Sequence, residues 1–162
     1  MNIIAAVDKN WGIGKDNQLL DHIPEDMKFF RETTIGKAVI MGKNTLLSFP
    51  NQKPLPNREN IVLTHGDLDI EDIEIFDNLK SAVIFAKELF EDDEIFVIGG
   101  ESVYRQALPL CKKAYVTKIN KEYDADRFMP NLDEDEAWKI TEERAVETAK
   151  GIEITFTLYE RV

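Results

Sequence analysis

The chain has 162 residues, of which 43% are hydrophobic, enough for a buried core, and we expect residues 1–162 to form a single domain. With 20 basic and 31 acidic residues the net charge is −11, which excludes a general affinity for nucleic acid or for anionic membranes. Cys111 is the only cysteine, so no internal disulfide can form. No segment reaches the ~20 apolar residues of a spanning helix, and we expect a cytoplasmic protein without a membrane or metal site.

The first elements are a strand, a long connection and a helix. The apolar run from Asn2 to Asp8 predicts the strand. Residues 9–23 then form a connection that carries Trp11 and Ile13, and its length and apolar content predict a lid over a site, with an ordinary surface loop as the alternative. Pro24 predicts the start of the helix, because its missing N–H costs nothing there, and Gly36 predicts its end.

Asp26 occupies the first turn of this helix. Four side chains at helical spacing form its apolar face: Ile23, Met27, Phe30 and Thr34. Asp26 lies beside that face rather than opposite it. The simpler interpretation is an exposed acid that complements the helix dipole. The alternative is an acid at the mouth of an apolar pocket, where its pKa is raised.

The remaining elements alternate until the C-terminal third. Strands are predicted at 37–41, 60–64, near Phe76, 94–98 and 114–119, and helices after Gly42, over 78–90 and after Gly100. Residues 50–58 hold three prolines and predict a loop. Two strand-like stretches follow at 138–146 and 151–160. This order predicts an α/β fold: a mixed, mostly parallel β-sheet with an antiparallel C-terminal end, flanked by about four helices.

Two of the junctions share one pattern, a buried strand that breaks at glycine into a helix start. They read Gly42-Lys43-Asn44-Thr45 and Gly99-Gly100-Glu101-Ser102. Free N–H groups at such helix starts suit phosphate, and two in one sheet could hold a pyrophosphate. Glycine at such a turn is often only geometric, and neither G-x-G-x-x-G nor a Walker sequence is present.

Four motifs in order closely resemble the bacterial-type dihydrofolate reductases. They are Ile-Pro-x-Asp at 23–26, Ile-Met-Gly-Lys-x-Thr at 40–45, Pro-Leu-Pro-x-Arg at 54–58 and Val-Ile-Gly-Gly-Glu-x-x-Tyr at 97–104. The resemblance spans residues 1–160. It implies an antifolate-binding oxidoreductase of one-carbon metabolism that reduces 7,8-dihydrofolate to 5,6,7,8-tetrahydrofolate with NADPH. We expect a monomer. It also implies a cis peptide at the Gly-Gly pair.

The resemblance further implies the site residues. Asp26 is the catalytic carboxylate, oriented by Thr117, and Arg58 binds the α-carboxylate of the substrate's glutamate tail. The substrate-binding set is Ile4, Ala6, Leu19, Met27, Phe30, Phe49, Leu55, Arg58, Ile98 and Thr117. The cofactor-binding set is Ala6, Ile13, Gly14, Gly42, Lys43, Asn44, Thr45, Leu63, Thr64, His65, Gly99, Gly100, Glu101, Ser102, Val103 and Tyr104. Asp126 matches the aspartate that grips the lid's backbone.

Five positions depart from the family pattern. Leu20 and Asp21 stand where the family usually has proline and tryptophan, and Lys43 replaces an arginine. Arg127 and Met129 interrupt the segment that usually reads Asp-Thr-x-Phe-Pro. We expect Asp21 to turn outward, to water or to a lysine of the lid, because two carboxylates in one apolar pocket repel each other. The alternatives to a dihydrofolate reductase are the related reductase domain of riboflavin synthesis, which lacks Ile-Pro-x-Asp and Pro-Leu-Pro-x-Arg, and a non-catalytic nucleotide-binding module, which needs neither lid nor Asp26.

Overall fold

The structure is a computed structural model that describes residues 1–162. Its helices are α1 (Pro24–Thr34), α2 (Lys43–Leu47), α3 (Leu79–Leu89) and α4 (Glu101–Ala107). Its strands are β1 (Asn2–Val7), β2 (Gly12–Lys15), β3 (Gln18–Leu19), β4 (Ala38–Gly42), β5 (Glu59–Leu63), β6 (Ile73–Phe76), β7 (Ile95–Gly99), β8 (Lys113–Ile119), β9 (Arg127–Phe128), β10 (Trp138–Glu147) and β11 (Glu153–Arg161).

Eight of the strands form one sheet in the order β10-β11-β8-β1-β7-β4-β5-β6. The six strands from β8 to β6 are parallel, whereas β11 runs antiparallel to both β8 and β10. The predicted fold class is confirmed. Parallel strands covered on both faces require continuous apolar sequence, and β4 and β7 show it, with residues 38–41 and 95–97 all buried.

The lid differs from its predicted form. Residues 9–23 contain the hairpin β2–β3, which forms a second, three-stranded sheet with β9. The turn is the pair Asp16-Asn17, and both residues have positive φ, which short polar side chains tolerate. Strands of four and two residues, rich in glycine and polar side chains, carry no alternating apolar pattern, so the sequence predicted only a connection.

Helix α1 begins and ends where the sequence predicts. Pro24 is its first residue, and the chain leaves it at Ile35 and Gly36, which has a φ of 75°. Its apolar face is divided: Ile23 and Thr34 are buried, but Met27 is 43% exposed. Met27 therefore lies at an opening rather than in the core. No helix in the structure combines the length and hydropathy that a bilayer-spanning segment needs.

Candidate active site

Asp26, in the first turn of α1, lines a cavity next to β1 and β8. The Thr117 hydroxyl donates a hydrogen bond of 2.6 Å to Asp26 Oδ1, so the expected pair is present. Thr117 is 2% exposed on β8, where its backbone pairs with Ala6 of β1. A buried hydroxyl on a central strand thus fixes the orientation of the carboxylate at the start of α1.

The surroundings of Asp26 favour its neutral form. Burial raises the pKa of Asp26, because removing the carboxylate from water penalises the charge, and the hydrogen bond from Thr117 offsets this only in part. Of the two interpretations of Asp26, the structure therefore supports an acid in an apolar pocket rather than an exposed residue that only complements the helix dipole.

The cavity next to Asp26 has mostly apolar walls contributed by β1, the lid, α1 and β8. Its lining residues are Ala6, Ile13, Leu19, Leu20, Asp21, Ile23, Asp26, Met27 and Ile119. Leu19 is 60% exposed. With Met27 it leaves apolar side chains at the mouth of the cavity, where an apolar ring system can cover them.

The other apolar residues of the predicted substrate set lie in one cluster. Ile4 is buried in it, and Phe30, Phe49, Leu55 and Ile98 pack around it. The Ile4 carbonyl oxygen accepts a 2.8 Å hydrogen bond from the hydroxyl of Tyr104, a predicted cofactor residue. Burial and the nearby Asp26 raise the pKa of Tyr104, so this hydroxyl stays protonated.

Arg58 lies at the C-terminal end of α1. Its Nε donates to the Pro56 carbonyl at 3.0 Å and its Nη1 donates to Thr34 Oγ1 at 3.2 Å. Burial lowers the pKa of Arg58, as does the positive charge of Arg31 in the last turn of α1. Neither arginine forms an ion pair within the chain. The two guanidinium groups make a local positive site on an acidic protein, which suits a carboxylate ligand.

The two strand-to-helix junctions lie side by side, because β4 and β7 are neighbours and Met41 pairs with Gly99. The expected cis peptide is present between Gly99 and Gly100. A side chain at Gly99 would bring Cβ to 3.2 Å from Thr45 Oγ1, and one at Gly42 would bring Cβ to 3.3 Å from a Val103 methyl group. The glycines keep a cradle open between the first turns of α2 and α4, whose N–H groups suit a pyrophosphate.

The predicted residues of the adenosine end follow neighbouring strands. Gly42 pairs with Leu63, so Lys43 and Thr64 leave the sheet next to each other. The side chains of Lys43 and His65 are exposed. A basic side chain there can reach a phosphate group without losing an internal partner.

The lid is held by hydrogen bonds to Asp126, the residue just before β9, and it pairs with β9 itself. Asp126 Oδ2 accepts a hydrogen bond of 3.1 Å from the Asp16 N–H, and the Asp126 N–H donates to the Gly14 carbonyl at 2.9 Å. The expected grip of Asp126 on the lid is therefore present. Glu101, predicted to bind cofactor, instead accepts a hydrogen bond from the Phe128 N–H at 2.8 Å. Its side chain joins α4 to the lid sheet.

Asp21 does not turn outward to water or to a lysine of the lid. It is 15% exposed, accepts a 2.5 Å hydrogen bond from the Tyr123 hydroxyl and forms an ion pair with Lys150. These contacts, with Lys150 as the largest cause, lower the pKa of Asp21 to about 2. Both partners come from loops more than 100 residues away in the sequence, so no local pattern could indicate them.

Sequence reasoning also missed Arg31 and Asp8. Arg31 lies in the last turn of α1. A basic residue is common there because it complements the helix dipole, so it did not indicate a binding site. Asp8 is 2% exposed and accepts hydrogen bonds from three backbone N–H groups, those of Asn10, Gly12 and Tyr123. An acid that directly follows a buried strand and precedes a Gly-containing loop was the one available signal.

Comparison with known proteins agrees with this geometry. A family model described as dihydrofolate reductase matches residues 1–161. The dihydrofolate reductase of Haemophilus influenzae is 42% identical over 86% of this chain and 83% of its own, and that of Bacillus subtilis is 35% identical over 99% and 94%. The solved structure of the Enterococcus faecalis dihydrofolate reductase complexed with NADP(H) and RAB-propyl has a TM-score of 0.88 and 29% identity, covering 99% of this chain and 95% of that one. Neither a riboflavin-type reductase nor a nucleotide-binding module accounts for a match over this length. The chain belongs to the dihydrofolate reductase family.

Proposed function

We propose that Asp26 is the active-site carboxylate in this family's reaction, the NADPH-dependent reduction of 7,8-dihydrofolate to 5,6,7,8-tetrahydrofolate. The observation that carries the proposal is a carboxylate with a raised pKa in a mostly apolar cavity, oriented by the buried Thr117 hydroxyl. The second acid of the cavity, Asp21, is neutralised by Lys150.

The residues of the chain bind and orient the substrate, and their charges favour its protonated form. NADPH supplies the hydride when it is bound. The Asp26 carboxylate accepts hydrogen bonds from the amidine-like edge of the pterin and favours a proton on the ring. The mostly apolar walls limit the access of bulk water to this charge pair, which strengthens it.

The proposed substrate site continues outward along α1. Its apolar members hold the pterin and the ring that follows it: Ile4, Ala6, Leu19, Met27, Phe30, Phe49, Leu55 and Ile98. Arg58 binds the α-carboxylate of the glutamate tail, and Arg31 adds positive potential there. A guanidinium group suits this role because it meets a carboxylate with two parallel hydrogen bonds.

The proposed cofactor site is the cradle at the ends of β4 and β7. The residues present fit a dinucleotide phosphate, because the glycines leave room that a Cβ would fill and the acidic side chain of the two first turns, Glu101, is bonded to the Phe128 N–H. The first turns of α2 and α4, residues 43–45 and 101–104, would hold the pyrophosphate. Lys43, Thr64 and His65 would hold the adenosine phosphate, and Ile13 and Gly14 of the lid would contact the nicotinamide.

The direct test is the loss of NADPH absorbance when dihydrofolate is added to the purified protein. We expect turnover that requires both compounds and is blocked by a folate analogue. Binding of NADPH without turnover of dihydrofolate would contradict the proposal and leave the chain as a nucleotide-binding module.

We also propose that residues 1–162 form one domain and act as a monomer in the cytoplasm. The main apolar core supports this, because it draws residues from Met1 to Tyr159 into one cluster. A net charge of −11 opposes self-association. A single unfolding transition and a monomeric mass by sedimentation are expected, and two transitions or a dimeric mass would contradict the proposal.

A further inference from the structure

Three chain segments meet at Asp21. The first is the end of the lid, residues 19–23, which carries Asp21 itself. The second is the loop at 120–126, whose Tyr123 hydroxyl donates to Asp21 Oδ2 at 2.5 Å. The third is the turn at 148–152 between β10 and β11, whose Lys150 ammonium donates to Asp21 Oδ1 and, at 3.0 Å, to the His22 carbonyl. Both carboxylate oxygens of Asp21 are thus used to join loops.

Two further hydrogen bonds hold the same segments. The Ala149 N–H donates to Glu25 Oε2 at 2.8 Å, which binds the turn at 148–152 to the start of α1. The Tyr123 N–H donates to the buried Asp8 Oδ2 at 3.0 Å, which binds the loop at 120–126 to the start of the lid. Tyr123 is therefore held by its own N–H, and Lys150 is held by the N–H of the preceding residue, Ala149. Both can act as fixed points for Asp21.

The segment held in this way is a wall of the active-site cavity. Leu19, Leu20, Asp21 and Ile23 line the cavity together with Ala6, Asp26 and Met27. A shift of Asp21 would move this wall. Loss of its ion pair with Lys150 would also leave a second, uncompensated negative charge in the cavity that Asp26 lines, and like charges raise each other's pKa.

We propose that Asp21 is a positioning residue for the pterin pocket, fixed by Tyr123 and Lys150, and that Lys150 leaves Asp26 as the one carboxylate lining the pocket without an ion-pair partner. The proposal rests on the proposed role of Asp26. Other titratable or charged groups surround the two carboxylates. Tyr104 lies near Asp26. Around Asp21 and the loops that hold it lie Asp8, His22, Glu25, Lys121, Tyr123 and Lys150.

The test compares Lys150→Met, Tyr123→Phe and the double variant Asp21→Asn/Lys150→Met, with Lys139→Met, an exposed lysine of β10 without an ion pair, as control. We expect Lys150→Met and Tyr123→Phe to raise KM for dihydrofolate by about three- to tenfold with much smaller changes in kcat, because the wall contacts ground state and transition state alike. Asp21→Ala should cost less than about tenfold in kcat/KM.

The charge part has its own readout, a carbon-13 NMR titration of the Asp26 carboxyl group. Lys150→Met should raise the pKa of Asp26, and adding Asp21→Asn should return it to the wild-type value, because the uncompensated charge is then gone. A purely structural role for Lys150 would not produce this rescue.

An unchanged KM in both single variants, or an Asp26 pKa that does not respond to Lys150→Met, would overturn the proposal. Tyr123→Phe removes a single oxygen and keeps the KM test available if Lys150→Met unfolds. Failure of the proposed function can be distinguished from failure of this inference. Full activity of Asp26→Asn would contradict the proposed function, independently of the KM values of the Lys150 and Tyr123 variants.

Discussion

Asp21 and Asp26 line one cavity, five residues apart, in opposite electrostatic environments. Lys150 and Tyr123 lower the pKa of Asp21 to about 2, whereas burial raises the pKa of Asp26. Where the pKa values of two acids in one site are shifted in opposite directions, the acid with the lowered pKa stays ionised and the other is available for proton chemistry. The structure therefore favours Asp26 as the acid that serves the substrate.

The Thr117 hydroxyl gives a prediction at this scale. Because its hydrogen bond lowers the pKa of Asp26, Thr117→Val should raise that pKa further, with little change in shape at the buried position. A carbon-13 NMR titration of the Asp26 carboxyl group measures this. Thr155→Val, an exchange of the same kind on β11, is the control, and a fall in the pKa of Asp26 in Thr117→Val would contradict the account.

The elements that build the site are the two strands that end at glycine. Parallel pairing of β4 with β7 brings the starts of α2 and α4 to the same edge of the sheet. The sequence predicted both junctions, since a buried strand, a glycine and a helix start each leave a local pattern. It did not predict the hairpin of the lid, because β2 and β3 are too short and polar to leave one.

Lys43 at the start of α2 gives a prediction for the cofactor. A charge-assisted hydrogen bond is worth ~1.5–3 kcal/mol, so Lys43→Ala should lower kcat/KM with NADPH by roughly 10- to 150-fold. Kinetics with NADH should barely change, because NADH lacks the adenosine phosphate. Steady-state assays with the two cofactors measure this, and equal losses with both would contradict the assignment of Lys43.

Gly99 at the end of β7 gives a prediction for stability. Its φ of 135° disfavours any side chain, and Cβ would lie 3.2 Å from Thr45 Oγ1. Gly99→Ala should lower the free energy of unfolding by about 1–3 kcal/mol and weaken NADPH binding. Gly151→Ala is the matched control, because its φ is 78° but nothing lies within 4 Å of the added methyl group. Urea unfolding of both variants measures the difference, and equal losses would show that crowding at Thr45 has no effect.

At the scale of the whole molecule, distant segments complete a site that local elements begin. The predicted fold matches the observed one because strands such as β4 and β7 are continuous apolar runs. Such strands are buried on both faces, which indicates the interior of a mostly parallel sheet. The contacts of Asp21 were not predictable, because Lys150 lies 129 residues away in the sequence, in the turn between β10 and β11. Loop-to-loop ion pairs of this kind depend on the finished fold and leave no periodic signal.

The burial of Asp26 should also cost the whole molecule stability. Because the folded state raises its pKa, Asp26 favours folding below the unfolded-state pKa of about 3.9, and that contribution is lost as the pH rises through the folded-state pKa. Asp26→Asn removes the charge, so it should be more stable than wild type at neutral pH, with the difference vanishing below about pH 4. Urea unfolding at both pH values measures this, and a less stable variant at neutral pH would contradict the sign.

The most direct test of the central claim is the pH dependence of kcat/KM for Asp26→Asn with dihydrofolate and NADPH. The variant keeps the shape of the side chain and its hydrogen bond to Thr117 but has no charge to favour a protonated pterin. We predict a loss of about 10²- to 10⁴-fold at neutral pH, with partial recovery as the pH falls and solution supplies the proton. Activity equal to wild type at neutral pH would contradict the assignment of Asp26 as the active-site carboxylate.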